Sequence, residues 1–138
     1  MCCEISVYAT QKFKKKYEKR GWFYGYKKLN IAGSALIGNY KYSAGEARIS
    51  PISISDYDVE TKGFHFYTKN IWRHSTGVIK VIVKVKDLIG VSTNYTDYGS
   101  EELGQYKEGV ANAITIQKKE WQNFLKRTRS RRAKCVAI

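Results

Sequence analysis

From Ile79 to Lys86 the chain alternates, with Ile79, Val81, Val83 and Val85 on one side and Lys80, Ile82, Lys84 and Lys86 on the other. A period of two is that of a β-strand, and branched aliphatics set opposite lysines describe a strand with one face in a core and one in water. Such a strand calls for an antiparallel or mixed sheet. The chain has 138 residues, the size of a single domain, and 43% of them are apolar and 14% aromatic, enough for a core. No apolar run approaches the roughly 18 residues of a membrane span.

The flanking pattern fills in the rest. Glu4 to Ala9 alternates and reads as a first strand, and Thr10 and Gly21 bracket a helix over about 11–20 that carries Phe13 and Tyr17. Trp22 to Tyr26 is an aromatic strand. Gly33, Gly38 and Gly45 punctuate short hairpin segments, and Ile49 to Tyr57 reads as an edge strand or connector around Pro51, the sole proline. Gly63 to Thr68 is a short strand, with one helical turn through Asn70 to His74. Leu88 to Val91 continues the valine ladder after a bend at Asp87. Residues 92–110, rich in Ser, Thr, Asn, Tyr, Gly and acids, read as a long loop, and Ala113 to Ile116 is a last strand. Lys118 to about Arg127 is an amphipathic helix with Trp121, Phe124 and Leu125 inward. The expected fold class is α+β: an antiparallel or mixed sheet with two peripheral amphipathic helices in a domain over 1–127, then a basic tail over 128–138.

The net charge is +13, and its distribution is more informative than its size. Residues 12–28 hold Lys12, Lys14, Lys15, Lys16, Lys19, Arg20, Lys27 and Lys28 against Glu18 alone, and residues 118–134 hold Lys118, Lys119, Lys126, Arg127, Arg129, Arg131, Arg132 and Lys134 against Glu120 alone. Each window is +7, which leaves −1 for everything else. Concentrated positive charge is what a polyanion selects, because binding releases condensed counterions. Two contact surfaces are therefore expected, one from Lys12, Lys14, Lys15, Lys16, Lys19 and Arg20, the other from Lys126, Arg127, Arg129, Arg131, Arg132 and Lys134. Trp22, Tyr24 and Tyr26 share one strand face, with Phe23 on the other; if exposed, they are a platform on which bases stack.

Enzymatic motifs are missing from the sequence. There is no P-loop, dinucleotide fingerprint or nucleophile elbow, and Cys2, Cys3 and Cys135 have no zinc-site spacing with the two histidines, His65 and His74. The acidic groups at Asp56, Asp58 and Glu60 and at Glu101 and Glu102 fall in loops without a partnering histidine. No metal or cofactor is expected. The reading is a non-enzymatic nucleic-acid-binding protein without sequence-specific readout, part of a viral, phage or other nucleoprotein assembly. The first alternative is a virion subunit whose basic ends dock on acidic protein neighbours. The N-terminus has neither a basic nor an apolar leader region, so the expected location is the host cytoplasm or a virion. Cys135-Val136-Ala137-Ile138 fits the C-a-a-X form after a polybasic stretch, but a membrane anchor is set aside as the minor reading.

Residues Gly63 to Thr68, the ladder Val78 to Val85, Asp87 to Val91, Ile114 to Ile116 and Glu120-Trp121 together resemble a pattern in small uncharacterised bacterial and phage proteins. The strand order is also loosely similar to that of ADP-ribosyltransferases. That second likeness implies a small nucleotide-binding module or transferase, with His65 and Arg73 near the cleft.

Overall fold

The computed structural model describes residues 5–30, 41–49, 63–72, 76–93, 95–96 and 105–136, and for 95, 96, 105 and 130–136 the backbone alone. The segments expected around Gly33 and Gly38, the Pro51 connector, the three acidic loop residues after it, Arg73, His74, Glu101 and Glu102 lie outside these residues.

The first helix, α1, is Val7–Tyr17, earlier than its expected start, and it takes in Val7 to Ala9 of the expected first strand. Ser6 is the N-cap, its Oγ accepting from the Ala9 N–H at 3.1 Å, so the first turn takes in Val7, Tyr8 and Ala9. Helical spacing of Ala9, Phe13 and Tyr17 builds a better apolar stripe than the alternation did, and only Ile5 keeps a strand-like bridge, to Ser92. Thr10 is inside the helix and buried, where its hydroxyl accepts from the Val91 N–H at 3.0 Å. At the other end Gly21 has φ +81° and its N–H reaches the Tyr17 carbonyl at 2.8 Å, the left-handed stop expected of it.

Strands β1 (Trp22–Lys28), β2 (Gly45–Arg48), β3 (Phe64–Tyr67), β4 (Val78–Lys84), β5 (Leu88–Val91), β8 (Glu108–Ala111) and β9 (Ala113–Ile116) form one sheet. Its order is β2-β9-β4-β1-β3-β8-β5, with every pairing among the described residues antiparallel, and β6 (Tyr95–Thr96) and β7 (Gln105–Tyr106) make a separate ribbon. The fold is α+β. β8 and β9 follow each other with only Asn112 between them, yet β8 pairs with β3 and β5 while β9 pairs with β4 and β2. One bent run of chain therefore serves both halves, and the sheet curls until its ends meet. There Arg48 of β2 grips the buried Asp87, just before β5, through bonds of 3.0 and 3.3 Å.

The inner face carries Phe23, Phe64, Phe66, Ile79, Val81, Val83, Ile114 and Ile116, all buried. β4 thus alternates as the ladder predicts until Lys84; Val85–Asp87 is a 3-10 turn that sends the chain to the far edge. The expected loop at 92–110 fails most clearly at β8, all four of whose residues are buried. Glu108-Gly109-Val110-Ala111 shows no alternation because Gly109 is set by contact: the Phe66 ring lies over it, and a Cβ there would sit 2.1 Å from the ring. Gly25, across β3, approaches the same ring.

The last helix, α2, is Lys118–Val136. Residues 128–136, expected as tail, continue it; Thr128 is buried and its hydroxyl donates to the Phe124 carbonyl at 2.9 Å. The inward stripe is Trp121, Phe124 and Thr128, and Leu125 is 37% exposed. α1 meets the start of β1 through Phe13 and Phe23, whereas α2 meets the start of β4, which pairs with the end of β1. The two helices sit at opposite ends of that strand pair. No helix among the described residues is long and apolar enough to cross a membrane.

Candidate nucleic-acid interface

On α1 the residues flanking the Ala9/Phe13/Tyr17 stripe on one side are Tyr8, Lys12 and Lys16, four apart and hence in a row. They face the end of β3 and the start of β8. Those two segments are tied together where the Thr68 N–H donates to the Lys107 carbonyl at 2.9 Å and the Lys107 N–H to Thr68 Oγ1 at 2.8 Å. This pairing delivers Lys69 and Lys107 opposite the helix. The result is an open cleft of about 930 Å3 lined by Lys12, Lys16, Lys69 and Lys107, with Tyr8, Tyr17 and Tyr106 between them and no carboxylate among the described lining residues. Burial holds the Lys107 ammonium below the ordinary lysine pKa, and the nearby Lys12 and Lys16 charges lower it further. Like charges that crowd one another around a cleft are stabilised by an anion placed among them.

The first basic window is thus divided by the helix. Lys12 and Lys16 enter the cleft; Lys14 and Lys15 lie elsewhere on α1, and Lys19 is exposed in the turn after it. Arg20 turns back, its guanidinium 5.1 Å from the Tyr17 ring centre and 4.4 Å from that of Trp22, with Nε donating to the Trp22 carbonyl at 2.8 Å. Lys69 and Lys107 belong to the electrically ordinary middle of the sequence, where a count by window cannot single them out.

Trp22, Tyr24 and Tyr26 lie on the outer face of β1, opposite the buried Phe23. Tyr24 is 36% exposed, and Trp22 and Tyr26 are half-buried. Their cross-strand neighbours on β4 are Lys84, Ile82 and Lys80, and Lys80 Nζ sits 4.4 Å from the Tyr24 ring centre. The ladder's wet face and the aromatic strand therefore form one surface.

In the second window, Arg127 is engaged with the sheet. β4 pairs with β1 along its whole length but extends past β9 on its other edge, and α2 serves that edge: Glu120 Oε1 accepts from the Lys80 N–H at 3.0 Å, and Arg127 donates to the Val78 carbonyl at 2.7 Å. Arg127→Ala is therefore expected to lower the unfolding free energy by about 1 to 2 kcal/mol, the cost of an unpaired strand carbonyl, measured by denaturant titration. Lys126 and Arg129 are exposed, while the side chains of Arg131, Arg132, Lys134 and Cys135 lie outside the described residues. His65 is half-buried on the outer face of β3, paired across to Val110. Its expected companion Arg73 is not among the described residues. Among the described residues no group of three His, Cys, Asp or Glu could hold a metal ion.

Compared with protein-family models, curated proteins and solved structures, the chain matches none.

Proposed function

We propose that this protein binds nucleic acid through its phosphates, without reading base sequence, and that the cleft between α1 and the β3–β8 junction is the contact. The observation that carries this reading is that Lys12, Lys16, Lys69 and Lys107 line one concavity, with Tyr8, Tyr17 and Tyr106 between them. Four lysines lining one open cleft suit a chain of phosphates, each contact releasing a counterion. The interleaved tyrosines suit the sugars and bases between those phosphates.

The test is the salt dependence of binding to a labelled oligonucleotide of mixed sequence, followed by fluorescence anisotropy. A steep linear fall of log K with log salt is expected. Lys12→Gln and Lys16→Gln should each weaken binding for every sequence and reduce the slope by roughly 1, while Lys14→Gln leaves it unchanged. Because an anion among these lysines restores Lys107 toward its ordinary pKa, binding takes up protons at alkaline pH and weakens as pH rises there. Absence of binding at low salt would sink the reading.

A further inference from the structure

The lysine cleft does not end at α1. Lys16 Nζ lies 5.4 Å from the centre of the Tyr17 ring, which also packs under Arg20 at 5.1 Å. Arg20 in turn stacks on Trp22 at 4.4 Å, Trp22 meets Tyr24 edge-on at 5.0 Å, and Lys80 lies 4.4 Å over Tyr24. Cations and aromatic rings thus interleave from the cleft, round the start of β1, onto the outer face of the sheet, with the Trp22–Tyr24 pair held between Arg20 and Lys80. A second line leaves the cleft at Tyr106, whose ring is 5.9 Å from that of Tyr67, and Tyr67 lies opposite Tyr26 in the β1–β3 register and 4.7 Å from Trp72.

We infer that this rail takes single-stranded nucleic acid in preference to a duplex, with phosphates at Lys16, Arg20 and Lys80 and bases on Trp22 and Tyr24. The inference rests on the phosphate reading of the cleft and names the form of its ligand. A single strand presents base faces and phosphates side by side, and the rail presents rings flanked by cations. A duplex hides its base faces in its own stack and can engage only the cations. A lysine cleft alone would not choose between the two; the rings placed among the charges make the choice.

The experiment compares a single strand of about 15 nucleotides with a duplex of equal length at matched salt, a site size within reach of one small domain. The single strand should bind more tightly. Tyr24→Leu, which keeps apolar bulk in the strand, should cost the single strand about 5- to 100-fold and the duplex less than about twofold. Its unchanged duplex affinity and melting temperature would certify the fold. Single strand, but not duplex, should quench tryptophan fluorescence, and Trp22→Phe should abolish most of that quench. Equal binding of both forms with steep salt dependence and a silent Tyr24→Leu would overturn this inference and leave the phosphate reading standing. Equal losses on both forms would overturn it too. Failure of both forms to bind at low salt would remove this inference and the phosphate reading together.

Discussion

Replacing Gly109 with alanine is expected to cost about 3 kcal/mol or more of stability, at the upper end of what overpacking does. The added Cβ would stand 2.1 Å from Cζ of Phe66, and that ring cannot retreat. Phe66 is 1% exposed, touches Phe23, and is already pressed against Gly25, where a Cβ would fall at 2.9 Å. In thermal melts of a domain this size the loss corresponds to roughly 10 °C. Phe66→Leu in the Gly109→Ala background should recover part of it, because a branched aliphatic vacates the ring's far edge. An undiminished melting temperature, or no relief in the double variant, would show that the ring is not wedged between the two glycines.

Lys27→Met should have the second-largest effect, and in the stabilising direction. Lys27 follows Phe23 and Gly25 on the inner face of β1, paired across to Ile79, and its ammonium donates to the His65 carbonyl while lying 5.5 Å from the Tyr42 ring centre. Burial pulls its pKa from 10.5 down to about 8. Below about pH 8 both folded and unfolded chains carry the proton and the cost of the buried charge is fully present. Between about 8 and 10.5 the unfolded chain still holds a proton that the folded one has released, so stability rises with pH across that window. A displacement of this size corresponds to about 3 kcal/mol. Lys27→Met should therefore gain about 2 to 3 kcal/mol at pH 7, less whatever the lost bond to His65 contributes, and the gain should shrink toward pH 10. Denaturant unfolding at the two pH values reads it directly. A variant less stable than the parent at pH 7, or a difference independent of pH, would contradict the burial of that charge.

Both predictions concern residues whose roles local pattern hides. Lys27 reads as a member of a basic window and Gly109 as loop composition. The local signals that held were those of period and punctuation: the alternation from Ile79 to Lys84, the opposition of Phe23 to Trp22 and Tyr24, and the stop at Gly21. Where two local patterns competed, as at Ser6 to Ala9, the one that could bury a face won. Alternation there served nothing, while the helix sets Phe13 and Tyr17 against Phe23 and the Thr10 hydroxyl against the Val91 N–H.

The candidate site divides in the same way. The sequence by itself determined that one face of the sheet would be wet and lysine-bearing, that aromatic residues would alternate along β1, and that cations would crowd α1. These properties depend on residue type and near neighbours in the chain. Only the tertiary structure decided which cations act together. The β3–β8 pairing sets Thr68 beside Lys107, 39 residues away, and so brings Lys69 and Lys107 to face Lys12 and Lys16. The same packing turns Arg127 to the open edge of β4 and away from the rest of its window. The reason is physical: charge is additive along a sequence, but an electrostatic field depends on distance in space, and those distances were fixed by strand pairing and core burial.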